Sequence, residues 1–190
     1  DCVWFGSYPQ AEVVPASEEY TALNKKFLQE GDLIQDDELY QKLKSATEWD
    51  KQGDVELDGE KYRRNKKEDA TDASNNSGSY QWENDTDYHY FKYRPIKWRV
   101  LSVDSAEAFL LADQALDDKQ YHIVYENVTW ESSTIRSWLN GYGASANLQK
   151  KDYGSSNFIN TAFSSSARIA IKDTKVENKD NLYNGTEGGE

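Results

Sequence analysis

Residues 93–117, YRPIKWRVLSVDSAEAFLLADQALD, carry the strongest strand pattern in the chain and decide its fold class. From Ile96 to Val100, apolar and charged residues alternate, which predicts a half-buried strand. Asp104-Ser105 predicts a turn, and residues 108–116 follow as the partner strand. Because Phe109–Leu111 is a continuous apolar run, we expect this second strand to be covered on both faces.

Towards the N-terminus, two further stretches predict strands. Residues 55–64, VELDGEKYRR, are typical of a β-hairpin, with Asp58-Gly59 suited to a type I′ turn. Residues 2–5 are a short apolar stretch, which predicts a strand that ends at Gly6 and Pro9. The chain therefore begins with a strand and returns to strands after an intervening segment.

Helical spacing of apolar residues, with suitable capping residues, predicts several short helices. These segments are residues 17–30, 36–47, about 133–142 and about 156–163. In the third segment, Ser132 or Ser133 can cap the start, and Gly141 or Gly143 can end the helix. Because strands and helices do not alternate strictly, we expect an α+β fold, with mixed or antiparallel sheets and several short helices.

A chain of 190 residues suits a single domain, here residues 1–190. Residues 10–88 resemble an insertion made of helices and a hairpin. Within it, residues 65–79 have no apolar side chain larger than alanine, so we expect a mobile, solvated loop there.

The composition argues against several classes of partner. The formal net charge is −12, so the phosphates of nucleic acids and anionic membranes would be repelled. No apolar run approaches the length of a membrane-spanning helix, so membrane insertion is not expected. The single cysteine, Cys2, cannot form an internal disulfide. Cations and neutral sugars fit this negative charge better than anionic ligands do.

Five blocks occur in an order that carries a family resemblance. They are VWFGSYPQ at 3–10, YRPIKWRVL at 93–101, FLLADQALD at 109–117, TWESSTIRSWLN at 129–140 and FINTAFS at 158–164. Together they resemble uncharacterised bacterial domains common in exported and surface proteins of gut Firmicutes. The resemblance implies an extracellular or cell-surface location and, in general plan, a C-type-lectin-like fold. The Trp-Asn-Asp and Glu-Pro-Asn calcium motifs of sugar-binding lectins do not occur here.

Members of that family usually continue with another strand-rich half. The resemblance therefore implies that the chain is the N-terminal part of a larger domain, with the C-terminal remainder missing. It implies no activity, because a fold alone does not fix function.

Aromatic residues supply the candidate ligand contacts and much of the candidate core. The ligand candidates, which could form a platform for sugar rings, are Trp82, Tyr88, Tyr90 and Trp130. The residues predicted to pack in the core are Trp98, Ile135, Arg136, Trp138, Leu139 and Phe163. We expect Arg136 to bond backbone carbonyls or a nearby carboxylate.

Catalytic and metal-binding patterns are absent from the sequence. There is no His-Glu-x-x-His set and no Gly-x-Ser-x-Gly elbow, so we expect no catalytic residue, no metal and no cofactor. Clustered acids leave calcium as an alternative. The leading hypothesis is a non-catalytic binding or adhesion module for a glycan or a host or cell-surface protein. The alternatives are a glycan- or cell-wall-acting hydrolase with an Asp/Glu pair, and a structural spacer.

Overall fold

The computed structural model describes residues 1–16, 33–66, 88–117, 119–174 and 180. Its contacts divide the chain into two compact units, residues 1–118 and 119–190, called unit 1 and unit 2. Among the described residues, unit 1 holds a mixed six-stranded sheet and one helix, and unit 2 holds short helices. The predicted α+β class is confirmed.

The sheet of unit 1 has the strand order β2-β1-β5-β4-β3, and β6 also pairs with β5. Only the β1–β2 pair is parallel among the described pairings. The strands are β1 (Cys2–Val14), β2 (Leu33–Gln35), β3 (Asp54–Leu57), β4 (Glu60–Asn65), β5 (His89–Asp104) and β6 (Glu107–Ala112). The long strand β5 is therefore the centre of the sheet, with β1 on one side and β4 and β6 on the other.

The first strand does not end at Gly6 and Pro9, so that prediction is wrong. Strand β1 continues to Val14 and crosses two shifts of register against β5, one between Trp4 and Ser7 and one between Pro9 and Ala11. Gly6 has a φ of 75°, which glycine adopts without strain at a bulge. Proline is tolerated in a strand at such irregular points.

The predicted hairpin at residues 55–64 is confirmed. Strands β3 and β4 are antiparallel, with Leu57 opposite Glu60. The turn residues Asp58 and Gly59 have φ values of 53° and 79°, and a type I′ turn requires positive φ at both positions. The local sequence alone therefore fixes this connection.

The predicted helix at residues 36–47 is confirmed as α1 (Asp37–Ser45). The Asp36 carboxylate accepts a hydrogen bond from the Leu39 N–H at 3.0 Å and caps the first turn. Glu38 and Lys42 form an i,i+4 ion pair at 3.0 Å on the exposed face. The opposite face buries Leu43 against the sheet's core.

The core of unit 1 brings together side chains from helix α1 and from strands β1, β3, β4 and β5. Its buried members are Val13, Leu43, Val55, Tyr62 and Tyr90. Half-buried residues packed against them are Ile34, Leu39, Tyr40, Trp49, Leu57 and Tyr88. Aromatic rings thus supply much of the volume, as the composition indicates.

The expectation that both faces of the second strand are covered is wrong. Strand β6 occupies the predicted segment, but Phe109 and Leu111 are 56% and 54% exposed. The neighbouring Leu110 is half-buried. A continuous apolar run predicts a strand covered on both faces, whereas this strand pairs only with β5 among the described strands.

Unit 2 contains several short helical segments. They are α2 (Thr134–Asn140), a 3-10 turn (Ala144–Ala146), α3 (Phe158–Ala162) and α4 (Ser165–Arg168). Of these, α2 and α3 lie at the predicted places, whereas the 3-10 turn and α4 are not predicted from the sequence. Helix α2 is capped by Ser133 and ends at Gly141, whose φ of 69° is left-handed.

The predicted helix at 17–30 and loop residues 67–79 lie outside the described residues. None of the described helices is long and apolar enough to span a membrane.

Candidate binding site

In unit 2, the loop before α2 is fastened to the first turn of that helix. The Ile135 N–H donates to the Tyr121 carbonyl at 3.2 Å, and the Ile123 N–H donates to Thr134 Oγ1 at 3.1 Å. The Thr134 N–H donates to His122 Nδ1 at 3.1 Å. N–H groups in the first turn of a helix lack intrahelical partners, and here the loop supplies two of the acceptors.

His122 links this attachment to a polar side-chain group. Since Nδ1 accepts the Thr134 N–H, a neutral imidazole carries its proton on Nε2. Nε2 lies 2.9 Å from Glu126 Oε1, and Gln149 Nε2 donates to the same carboxylate oxygen. The ring itself is buried. The loop is thus held at both nitrogens of one histidine.

The fastened loop presents aromatic side chains. Tyr121 is 47% exposed, and its ring centroid lies 6.3 Å from that of the half-buried Trp130, with the planes tilted by 37°. Partial burial raises the pKa of the Tyr121 hydroxyl, and a phenol is a neutral hydrogen-bond donor at neutral pH in any case. Tyr125 is fully exposed a few residues along the same loop. Flat apolar surfaces beside polar groups are what a small-molecule site needs.

A turn fixes the position of Trp130. Its carbonyl accepts from the Ser133 N–H at 3.2 Å and from the Ser133 hydroxyl at 2.8 Å. The same Ser133 hydroxyl accepts from the Arg136 N–H at 3.3 Å, which is the N-cap of α2. Ser133 therefore caps helix α2 and also stabilises the turn that begins at Trp130.

Small polar residues, and not the predicted apolar stripe, are the most deeply buried part of α2. Ser133, Thr134 and Ser137 are fully buried. The Ser137 hydroxyl accepts from Asn147 Nδ2 at 3.2 Å, and the same amide group donates to the Lys151 carbonyl. Such buried polar groups are stable only when they are bonded. The sequence predicts Ser133 as a possible cap but not the burial of these three residues, because hydrophobic spacing gives small polar side chains no weight.

Most of the predicted core residues of unit 2 lie on this helix, and Phe163 follows α3. Ile135, Trp138 and Leu139 are half-buried, and Phe163 is buried. Trp138 packs on Phe158 with centroids 5.8 Å apart.

Arg136, the last predicted core residue of unit 2, is half-buried. It donates through Nη1 to the Glu131 carbonyl at 3.1 Å, which is the kind of contact predicted for it. Its guanidinium also lies 5.0 Å from the ring centroid of Tyr142.

In unit 1, the structure gives a different role to the predicted aromatic platform. Tyr90 is 5% exposed, with Trp49 stacked on it at 5.8 Å and Tyr40 edge-on at 5.6 Å. We therefore correct its predicted ligand contact to a core role, because neighbouring rings occupy its surface. Tyr88 is half-buried, with the Arg64 guanidinium 4.3 Å from its centroid.

Two further predicted aromatic residues belong to this part of the chain. Trp98, predicted as core, is half-buried and donates its indole N–H to the Phe5 carbonyl at 2.7 Å. Trp82 lies outside the described residues. Of the three ligand candidates that the structure describes, Trp130 is the one whose ring lies beside an exposed aromatic ring on a surface loop.

A group of charged and polar residues surrounds the buried Asp54 in unit 1 and is called the Asp54 cluster: Asp54, Lys61, Arg63 and Tyr93. Arg63 donates Nε and Nη2 to the two carboxylate oxygens of Asp54 at 2.7 and 2.9 Å. Lys61 Nζ lies 2.8 Å from Asp54 Oδ2. Burial would raise the pKa of the Asp54 carboxyl, but the hydrogen bonds and charges of Arg63 and Lys61 outweigh it and lower the pKa.

The tyrosines beside this cluster are held neutral. Burial raises the pKa of Tyr93 far above its ordinary value, and the Asp54 charge adds to this. Burial likewise raises the pKa of Tyr8, whose hydroxyl donates to Asp117 at 2.6 Å. Asp54, Arg63 and Lys61 find their partners of opposite charge within the cluster. This arrangement is typical of a structural ion-pair network.

Neither an acid for glycoside hydrolysis nor a metal site stands out among the described residues. A general acid needs a raised carboxyl pKa, and the pKa values of Asp54 and Asp113 are both lowered. No three His, Cys, Asp or Glu side chains converge within the described ranges. The absence of catalysis, metal and cofactor stays a prediction.

Comparison with known proteins finds one family. Residues 105–190 match the family described as a domain of unknown function, DUF6273. The match covers β6 and all of unit 2, and therefore includes the Tyr121 and Trp130 loop. No curated protein and no solved structure matches the chain. The similarity fits an uncharacterised family and names no ligand.

Proposed function

We propose that this chain is a non-catalytic binding module of an exported or cell-surface bacterial protein, and that Tyr121 and Trp130 contact a neutral glycan. The neighbouring rings of these two residues on a fastened loop carry the proposal. The location rests on the five sequence blocks that resemble exported domains. A C-type-lectin-like plan rests on the same resemblance.

Preorganisation supports a binding role for this loop. Backbone bonds from Ile135, Ile123 and Thr134 fix the loop before any ligand arrives. Binding of a ligand then costs less free energy, because the loop is already ordered. Exposed aromatic side chains on a rigid support are common anchors in recognition surfaces.

Charge narrows the class of ligand. The chain carries a formal net charge of −12, and Glu126 and Glu131 flank the aromatic residues in sequence. An anionic ligand would be repelled, whereas the hydroxyl groups of a neutral sugar could bond to the Glu126 carboxylate or the Gln149 amide. A neutral glycan therefore suits this site better than a sulfated or phosphorylated one.

Binding of the 190-residue chain to a panel of neutral and anionic glycans and host surface proteins tests the proposal. We expect a neutral glycan to bind, and Trp130→Ala or Tyr121→Ala to weaken binding by about tenfold or more. Trp4→Ala is the matched control, because Trp4 is 65% exposed but belongs to unit 1. Trp82→Ala separates this site from the other predicted aromatic contact.

Three outcomes would count against the proposal. The intact chain could bind none of the panel, it could bind only anionic glycans, or Trp130→Ala could bind as tightly as the original chain. Circular dichroism of each variant separates loss of a contact from loss of the fold.

A further inference from the structure

The β5–β6 hairpin extends beyond the rest of the described sheet. Strand β1 pairs with β5 only as far as the Cys2–Arg99 pair, whereas β5 continues to Asp104. Strand β6 covers one side of this extension, and no described strand lies on the outer edge of β6. Four apolar residues of this hairpin are more than half exposed: Leu101, Val103, Phe109 and Leu111.

The outer edge of β6 lacks the usual protection against strand pairing. Between Glu107 and Ala112 there is no lysine, proline or bulge on this strand. Edge strands of stable monomers are ordinarily short, charged or interrupted, because unpaired N–H and C=O groups form a template for another strand. An apolar edge of this kind is therefore suited to a partner strand.

The ladder defines which backbone groups of β6 point outward. The Asp113 N–H donates to the Lys97 carbonyl at 2.9 Å, so residue 113 faces β5. In an antiparallel ladder, residues whose backbone groups point towards one neighbouring strand alternate with residues whose groups point away from it. The backbone N–H and C=O groups of Leu111 and Phe109 therefore point towards β5, as those of Asp113 do. Ala108, Leu110 and Ala112 consequently present their N–H and C=O groups to the outside.

We propose that β6 pairs antiparallel with β6 of a second copy of this chain, with the two-fold axis at Leu110. Leu110 then opposes Leu110 of the second copy, and Ala108 opposes Ala112. All three are outward-bonding positions, so the two edges satisfy each other's backbone groups. An isologous two-fold pairing of this kind closes the assembly at a dimer.

Side chains on one face of the sheet complement each other in this register. Phe109 lies opposite Leu111 of the second copy, and the reverse pair forms across the axis. Both are non-hydrogen-bonded positions, where opposing Cα atoms approach to about 4.5 Å and side chains pack closest. Aromatic–aliphatic pairs at such positions stabilise sheets. The pairing therefore covers the two apolar residues that β6 leaves exposed.

Charge is also balanced at the ends of the paired strands. Asp113 binds both Lys97, at 3.2 Å, and Arg99, so one carboxylate faces two cations. Glu107 is exposed at the other end of β6 and forms no ion pair with a described residue. In the proposed register Glu107 lies directly opposite Asp113 of the second copy, and the two cations Lys97 and Arg99 offset the repulsion between these two carboxylates.

Sedimentation equilibrium of the 190-residue chain tests the association. We expect a mass near twice 21.8 kDa at high concentration. Phe109→Lys and Glu107→Lys should shift the equilibrium to monomer. The control is Val103→Lys, which changes a residue 68% exposed on the same hairpin but on β5, and should leave the dimer intact. A monomer at every concentration, or equal effects of Phe109→Lys and Val103→Lys, would overturn the proposal.

Disulfide cross-linking tests the register and does not depend on the folding of a charged variant. In a Cys2→Ser background, Leu110→Cys places two thiols on the axis with Cα atoms about 5.5 Å apart, within the range for a disulfide. Ala108→Cys places its thiols about 14 Å apart along the strands. We expect oxidation to link Leu110→Cys into dimers and not Ala108→Cys. Equal cross-linking of the two variants, or cross-linking of neither variant, would contradict the two-fold register.

Discussion

Tyr93 donates its hydroxyl to both carboxylate oxygens of Asp54, at 3.0 and 2.9 Å, from a strand 39 positions away along the chain. The same carboxylate receives the fork of Arg63 and the ammonium group of Lys61. The buried Asp54 carboxylate therefore links side chains of the three strands β3, β4 and β5. Its partners would be left without a counter-charge if it were removed.

Asp54→Ala should destabilise unit 1 by about 3–5 kcal/mol, because it leaves the largely buried Arg63 guanidinium without its partner. Urea unfolding followed by tryptophan fluorescence measures the change. Asp113→Ala is the matched control, since Asp113 also binds an arginine and a lysine but with exposed partners. We expect little change there. Equal losses in the two variants would show that burial does not determine the effect.

The Asp54 cluster also predicts the pH dependence of stability. The pKa of Asp54 is lowered from 3.8 in the folded chain, so the folded state binds fewer protons than the unfolded state. The contribution is complete above the unfolded pKa and is lost as the pH falls through the folded pKa. The stability difference between the original chain and Asp54→Asn should therefore narrow below about pH 4.

A pH series of urea unfolding curves tests this dependence. Glu56→Gln is the control, because Glu56 is exposed on β3 and forms no ion pair with a described residue. Its curve should run parallel to that of the original chain. A difference for Asp54→Asn that stays constant down to pH 2 would contradict the assigned direction of the shift.

Parts of this fold could be predicted from sequence because their causes are local. Asp58 and Gly59 both need positive φ, and this requirement alone selects the hairpin turn. Asp36 and Ser133 cap helices through the N–H three residues ahead of them, so their positions follow from short sequence windows.

Other features depend on contacts between distant residues and left no local pattern. Gly6 and Pro9 are typical of a strand end, yet pairing with β5 carries β1 through both. Asp54 and Tyr93 meet only because three strands align, and His122 meets Thr134 only because the loop folds back on α2. Trp130 could be chosen from composition, but its neighbour Tyr121 could not.

Gly141→Ala should destabilise unit 2 by more than the left-handed backbone alone would cost, which is about 1–2 kcal/mol. Gly141 has a φ of 69°, and a Cβ there would lie 2.9 Å from Asn157 Nδ2. That amide already donates to the Tyr153 carbonyl at 2.7 Å, while its oxygen caps α3, so it cannot move freely. Thermal unfolding measures the loss.

Gly143→Ala provides the matched control two residues later. Its φ is −75°, and a Cβ there would meet nothing within 4 Å. We expect a small gain or no change, because alanine restricts the unfolded chain and fits the folded one. A loss at Gly143 as large as that at Gly141 would assign the effect to the loop as a whole and not to the contact with Asn157.

His122→Ala should release the loop that presents Tyr121 and Trp130 without changing either of these two aromatic residues. The variant removes the acceptor of the Thr134 N–H and the contact with Glu126. We expect faster amide hydrogen exchange at Thr134 and weaker binding of any glycan that the intact loop binds, because an ordered site would have to form on binding. Glu126→Gln is the milder control, since it keeps an acceptor oxygen near Nε2. Nitrogen-15 NMR of the original chain should show a ring proton on Nε2 and none on Nδ1, and a proton on Nδ1 would contradict the attachment described for this loop.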